Sequence, residues 1–168
     1  MKRNIELKTK YANHTSARNK LRALGAKEQT PMVQVDTYFC VATGRLKLRE
    51  MADRAELIWY QRADVKRTRD SRYTLVKVAD PAALKLALAG ALGVRGIVKK
   101  RREWFLWKNV RIHLDTVRGL GKFIEFEAVI GPSQSAAAGH ERVERLCEAL
   151  GISKRDHLSA SYSDLAGI

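Results

Sequence analysis

Residues 111–127, RIHLDTVRGLGKFIEFE, contain two alternating runs joined by a glycine-rich turn, a pattern typical of a β-hairpin. Alternation places a set of polar residues on one face of the two strands, namely Arg111, His113, Asp115, Glu125 and Glu127. If the polar faces of the two strands coincide, three carboxylates converge beside an arginine and a histidine. Carboxylates so close together are costly without a cation. The hairpin therefore predicts a site for a hard divalent ion such as Mg²⁺ or Mn²⁺.

A second interpretation of the hairpin is an ordinary antiparallel sheet with one face in water. This arrangement is the usual one for such sheets. The hairpin alone does not decide between a hydrated face and a metal site, so the charges on the other strands have to be considered.

Composition predicts a folded and strongly basic protein. The chain has 168 residues, 45% of them apolar, and its formal charge is +14. This length fits a single domain over residues 1–168. The charge predicts attraction to polyanions, which include nucleotides, polyphosphate and nucleic acid.

Cysteine usage and hydropathy predict the compartment. Cys40 and Cys147 match no metal-ligand spacing and fit a reducing environment. We find no secretory signal and no run of about 18 apolar residues. We therefore expect a cytoplasmic protein that does not bind membranes.

Sequence periodicity predicts short strands interrupted by three helices. The predicted strands comprise residues 4–8, 34–41, 45–50, 57–62, 71–78 and 98–107 and the two runs of the hairpin. The predicted helices comprise residues 13–24, 82–92 and 136–150, each followed by a glycine. Residues 63–72 are charged and lack periodicity, which predicts an exposed loop. The polar tail, residues 159–165, is predicted to lie across an opening.

The charges on the predicted strands are separated by sign. One group of strands presents the bases Lys8, Lys47, Arg49, Arg62, Lys100 and Arg102. Another group presents the acids Glu6, Asp115, Glu125 and Glu127. Eight strands can close into a barrel that holds one small ligand, with these charged faces directed inward. A triphosphate suits such a lumen, because Lys and Arg bind its oxygens and a carboxylate-bound metal bridges the others.

Single residues of this set are ambiguous. Most surface lysines and arginines bind no ligand. His113 is a proton-transfer residue by type, although a hydrogen-bonded structural role is commoner. The positive charge outside the proposed lumen leaves an alternative, in which a non-catalytic basic surface binds RNA or phosphorylated ligands.

The sequence resembles the CYTH domain, the triphosphate tunnel metalloenzyme family that includes class IV adenylyl cyclases and thiamine triphosphatases. The motifs that carry the resemblance are NIELK at 4–8, QVDTYF at 34–39, GRLKLRE at 44–50, VKKRR at 98–102, IHLD at 112–115 and LGKFIEFE at 120–127. They follow the family order through nearly the whole chain and are specific only together. The GRLKLRE run and the His113 strand look most similar to the class IV adenylyl cyclase-like branch.

The resemblance implies an α+β fold, with a closed eight-stranded antiparallel β-barrel, or tunnel, and helices packed outside. It implies Mg²⁺ or Mn²⁺ as cofactor and a triphosphate as substrate: ATP, inorganic triphosphate or thiamine triphosphate. The implied metal ligands are Glu6, Asp115, Glu125 and Glu127. The implied phosphate-binding residues are Lys8, Lys47, Arg49, Arg62, Lys100 and Arg102, with Lys8 and Arg102 catalytic.

One position departs from the family pattern. Asn4 stands where the opening motif of the family has its first glutamate. An amide oxygen is neutral and binds a hard cation more weakly than a carboxylate does. The substitution puts a second metal in doubt, and the remaining residues do not distinguish a cyclase from a triphosphate hydrolase.

Overall fold

Eight antiparallel strands close into a barrel in the computed structural model, which describes residues 2–63, 65–132 and 135–168. The strands are β1 (Lys2–Lys10), β2 (Lys27–Phe39), β3 (Arg45–Glu50), β4 (Ala55–Arg62), β5 (Arg69–Val78), β6 (Val94–Trp107), β7 (Val110–Val117) and β8 (Gly121–Ile130). Their order around the barrel is β1-β5-β4-β3-β2-β6-β7-β8, and β8 pairs with β1. The predicted α+β class and the eight-stranded barrel are therefore confirmed.

Helices pack outside the barrel. They are α1 (His14–Ala23), α2 (Pro81–Leu92) and α3 (Ala136–Leu150), and the short α4 (Tyr162–Leu165) lies at one end of the barrel. The first three confirm the predicted helices, and each begins after a side chain that accepts a hydrogen bond from a backbone N–H of the first turn. These capping residues are Asn13, Asp80 and Ser135. None of the helices in the described parts of the chain combines the length and apolar character needed to cross a bilayer.

Several strands extend beyond their predicted limits, β2 and β5 among them. β5 begins at Arg69, inside the predicted loop, because residues 69–73 pair with β1 in spite of their polarity. Residue 64 of that predicted loop lies outside the described residues. β2 begins at Lys27 and ends at Phe39, and its register against β6 shifts between Gln29 and Met32. This irregularity interrupts the alternation of apolar and polar residues, so the pattern does not reveal where β2 begins.

The apolar faces of β1, β7 and β8 point outward and form the main core with α1 and α3. The largest members of this core include Ile5, Leu7, Leu21, Ile112, Leu114, Ile124, Phe126, Leu146 and Leu150. The helices thus cover the apolar side of the sheet, and the charged residues at alternate positions are directed into the barrel. This arrangement confirms the prediction that the charged faces of the strands are directed inward.

Leu146→Ala should lower the free energy of unfolding by about 2–5 kcal/mol, because Leu146 is fully buried between α3 and the barrel. The matched control is Leu86→Ala on α2, where the leucine is 78% exposed. This control should change the free energy of unfolding by less than about 0.5 kcal/mol. Urea unfolding followed by circular dichroism measures both values, and equal losses would contradict the assignment of the core.

Candidate active site

The barrel lumen contains a cavity of about 130 Å³. A single water needs only about 10–15 Å³ of such space, so the cavity can hold a multi-atom anion. Among the described residues, its charged lining comprises Glu6, Lys8, Lys47, Arg49, Arg62, Lys100, Arg102, Arg111, Glu125 and Glu127. All six predicted phosphate-binding bases and three of the four predicted metal ligands therefore share one cavity.

Asp36 organises the basic side of the lumen. Its buried carboxylate accepts hydrogen bonds from Arg49 Nε and Nη2, both at 2.7 Å, and from Lys47 Nζ at 3.0 Å. Lys100 Nζ lies 3.6 Å away. Burial acts to raise the pKa of Asp36, but the three cations, Arg49 first, hold it well below its ordinary value. A single carboxylate thus holds the charged groups of three predicted phosphate-binding residues close together.

Lys47 has an unusual pKa for an amine. Burial and the guanidinium of Arg49 lower the pKa of Lys47 to about 8, against the attraction of Asp36. An anion that entered the cavity would stabilise the charged amine. Lys47 is therefore a group whose charge responds to ligand binding at mildly alkaline pH.

Asp115 forms a buried ion pair with Arg102. Arg102 donates to both carboxylate oxygens of Asp115, from Nε at 2.7 Å and from Nη2 at 2.6 Å. The hydroxyl of Tyr162 donates to Asp115 Oδ2 at 2.9 Å. The second predicted catalytic residue, Arg102, is thus held in a fixed orientation, and its Nη2 also reaches Glu125 at 3.1 Å. A metal-ligand role for Asp115 stays a prediction.

Glu125, Glu127 and His113 form a group on the acidic side of the lumen, with one potential ligand atom from each lying within 4.8 Å of the others. His113 Nδ1 lies 3.7 Å from Glu125 and 3.9 Å from Glu127. This nitrogen is buried and has no hydrogen-bond partner among the described residues. Burial, and then the charge of Arg102, lower the pKa of His113. Two carboxylates beside a neutral imidazole fit a divalent cation.

The other two acids among the predicted metal ligands make different contacts. Glu6 lies opposite Glu127 in the β1–β8 register, and its carboxylate accepts a hydrogen bond from Arg62. Asp115 binds Arg102, as described above. Asn4 Oδ1 is buried without a hydrogen-bond partner among the described residues. An unpartnered acceptor in the lining is available to a cation, although it carries no charge.

The predicted sets of metal ligands and phosphate-binding residues omit three residues that the structure places inside the barrel. Asp36 has no local signal, because its partners are on other strands and Lys100 is 64 residues away. His113 shares the polar face of the hairpin, but a lone histidine carries little information about its role. Tyr162 lies in the tail predicted to cross an opening, and it packs inside the barrel against Phe123.

A closed antiparallel barrel with basic and acidic walls facing one cavity defines the class of tunnel-shaped barrels. Comparison with protein families identifies the CYTH domain, matched over residues 2–162. The chain belongs to this family, and the resemblance stated from the sequence is confirmed. CYTH proteins include adenylyl cyclase-like and triphosphatase members, and the family is metal-dependent in general.

Several individual proteins are similar along nearly their whole length. The Methanocaldococcus jannaschii protein named "Putative adenylate cyclase MJ0240" is 25% identical, with 98% of each chain aligned. The solved structure of the PH1012 protein from Pyrococcus horikoshii is 26% identical, with a TM-score of 0.85 over 96% of this chain and 98% of that one. A Hippeastrum protein, HpAC1, shares the fold at 14% identity, with a TM-score of 0.68 over 99% of this chain and 94% of its own.

Proposed function

We propose that this protein is a metal-dependent enzyme that binds a triphosphate in the barrel lumen and catalyses phosphoryl or nucleotidyl chemistry. The observation that carries the proposal is the lining of the cavity. Seven basic side chains face it together with three acidic ones among the described residues. Membership of the CYTH family supports the same conclusion.

The basic side of the lumen suits a chain of phosphoryl groups. Arg49 and Arg102 are each held by a buried aspartate through two hydrogen bonds, so their orientation is fixed before a ligand arrives. Charge-assisted hydrogen bonds from guanidinium groups are strong and directional. Cations that are already fixed in position stabilise charge that develops during phosphoryl transfer without having to reorganise.

Glu125, Glu127 and His113 are the residues that would hold the divalent cation, which we propose to be Mg²⁺ or Mn²⁺. When bound, such an ion would supply positive charge that offsets the negative charge at the reacting phosphoryl group. Glu125 also lies 3.5 Å from Lys8 Nζ, so the acidic side and the basic side of the lumen meet at this carboxylate. The two sides are therefore positioned to act on one ligand.

Two chemistries fit this arrangement. In a cyclase, the ribose 3′-hydroxyl of ATP attacks the α-phosphorus and pyrophosphate leaves. In a hydrolase, water attacks the terminal phosphorus of ATP, inorganic triphosphate or thiamine triphosphate. The name of the M. jannaschii relative supports the first chemistry. The Hippeastrum protein has the same fold and is described as a "Putative adenylyl cyclase" that "reveals a dominant triphophatase activity", which supports the second.

Product analysis tests the proposal. ATP, inorganic triphosphate and thiamine triphosphate are each incubated with the protein and either Mg²⁺ or Mn²⁺. Cyclic AMP together with pyrophosphate identifies a cyclase, and orthophosphate release identifies a hydrolase. Failure to convert any of the three substrates with either metal would contradict the proposed function.

Binding of inorganic triphosphate should depend on pH through Lys47. Because the pKa of Lys47 is about 8 in the free protein, this amine is mostly charged at pH 7 and mostly neutral at pH 9. Restoring its charge on binding costs free energy at the higher pH, so affinity should fall by about tenfold between pH 7 and pH 9. Binding at pH 9 should take up protons, which calorimetry in buffers of different ionisation enthalpy measures.

Lys47→Arg is the matched control, because arginine keeps the positive charge but does not titrate in this range. Its proton uptake at pH 9 should be smaller than that of the wild type. Equal uptake by the two proteins would mean that Lys47 is not the titrating group.

A further inference from the structure

The C-terminal segment, residues 157–168, is fastened to one end of the barrel. His157 forms a β-bridge with Thr9, and the Leu158 N–H donates to the carbonyl of Lys8 at 2.8 Å. Asp164 in α4 lies 2.9 Å from Arg45 and 3.5 Å from Arg95. The segment is thus attached to β1, β3 and β6.

Gly96 leaves the space that the side chain of Ile168 occupies. A Cβ atom at this position would lie 2.3 Å from Cδ1 and 2.6 Å from Cβ of Ile168. Ile168 in turn packs against the apolar group that fills this end of the lumen, and that group contains Tyr162 and Phe123. A glycine in β6 therefore allows the close approach that holds the segment in place.

Tyr162 extends from this segment into the lumen and contacts several site residues. Its ring centroid lies 3.8 Å from Lys8 Nζ and 5.0 Å from Lys100 Nζ, both within the range of a cation–π contact. Its hydroxyl donates to Asp115, the carboxylate that orients Arg102. Tyr162 therefore contacts two lysines directly and is linked to Arg102 through Asp115.

The chemistry of these contacts favours a positioning role. A lysine carries a compact ammonium on a flexible stem, so holding it in one place has a large entropic cost. Lys8 lies between the Tyr162 ring and Glu125, which restricts the ammonium on two sides. Burial, and then Asp115 and Glu125, raise the pKa of Tyr162 well above its ordinary value, so the hydroxyl keeps its proton and remains a donor.

We propose that Tyr162 is a positioning residue of the active site, an inference that rests on the proposed function. Its ring fixes Lys8 and Lys100, and its hydroxyl fixes Arg102 through Asp115. Small displacements of groups that act on the reacting atoms cost much more in turnover than in ground-state binding. The effect of losing Tyr162 should therefore fall on kcat rather than on KM.

The test compares Tyr162→Leu with Tyr162→Phe. Leucine removes both the ring and the hydroxyl, and should lower kcat by about 10- to 100-fold with less than about a threefold change in KM. Phenylalanine keeps the ring over the lysines and loses only the bond to Asp115, so its kcat should lie between those of the other two proteins. The matched control is Tyr11→Leu, because Tyr11 donates to the Leu150 carbonyl outside the lumen.

A second readout does not depend on turnover. Reductive methylation followed by mass spectrometry measures the reactivity of individual lysines, and Lys8 and Lys100 are buried beside the Tyr162 ring. Both lysines should react faster in Tyr162→Leu than in the wild type, and at the wild-type rate in Tyr162→Phe and Tyr11→Leu. Gly96→Val should produce the same increase by displacing Ile168, and it serves if Tyr162→Leu does not fold.

The outcomes separate this inference from the proposed function. If the wild type converts no triphosphate, the proposed function fails, and the lysine reactivities still decide whether Tyr162 holds the two amines. Unchanged reactivities in both Tyr162→Leu and Gly96→Val would overturn the inference. So would a raised KM at constant kcat, or a loss of kcat in Tyr11→Leu as large as that in Tyr162→Leu.

Discussion

Glu125→Gln is expected to lower metal-dependent turnover of a triphosphate by at least about 100-fold. Glutamine preserves the shape of the side chain but removes the charge that attracts a divalent cation. Glu125 is shared between the potential metal group and the cations Lys8 and Arg102. Its loss should also weaken Mn²⁺ binding in calorimetry. In the absence of metal, inorganic triphosphate should bind at least as tightly as to the wild type, because the lumen becomes more positive.

These opposite effects separate a metal role from simple unfolding. Glu141→Gln is the matched control, because Glu141 is exposed on α3, outside the barrel. Its turnover should equal that of the wild type. Unchanged turnover or Mn²⁺ affinity in Glu125→Gln would refute the metal-ligand assignment of this residue.

Asp36→Asn should destabilise the protein by about 3–5 kcal/mol, because it leaves buried cations without their carboxylate. The affected cations are Lys47, Arg49 and Lys100. Inorganic triphosphate should restore much of the loss, since its charge replaces that of Asp36 beside the same groups. Urea unfolding with and without the anion measures both effects.

The contribution of Asp36 should also depend on pH. Its pKa in the folded protein is well below the ordinary value of about 3.9. The stability it provides is therefore complete above the unfolded-state pKa and is lost as pH falls through the folded-state pKa.

A surface aspartate provides the comparison for Asp36. Asp53 has a side chain that is 72% exposed, and Asp53→Asn should change stability by less than about 0.5 kcal/mol at pH 7. A loss at pH 7 in Asp36→Asn no larger than that in Asp53→Asn would show that the buried carboxylate does not hold the basic side together.

The barrel could be predicted because the alternation of residues is visible in the sequence. In β7 and β8, His113 faces Glu125 and Arg111 faces Glu127 in the observed register, so their polar faces coincide as the hairpin pattern requires. The separation of charge by strand also appears in the order of the barrel. β7, β8 and β1 carry the predicted acids and are neighbours, while most of the bases lie on β4, β3 and β6.

The pairing of the charges inside the barrel could not be predicted, because it depends on contacts between distant strands. Glu6 and Arg62 are 56 residues apart, and Asp115 and Tyr162 are 47 residues apart. Residue type indicates that a carboxylate is present but does not indicate which cation it binds. For this reason the sequence assigns Glu6, Asp115 and Glu125 one role, whereas the structure gives them different partners.

In the proposed function, one ligand binds in the lumen between a metal on the acidic side and fixed cations on the basic side. The most direct test of this claim is a crystal structure with Mn²⁺ and inorganic triphosphate, recorded at a wavelength where manganese scatters anomalously. We predict an anomalous peak within coordination distance of Glu125 and Glu127, and phosphate oxygens in contact with Arg49 and Arg102. Manganese and triphosphate bound only on the exterior, with water filling the lumen, would contradict the claim.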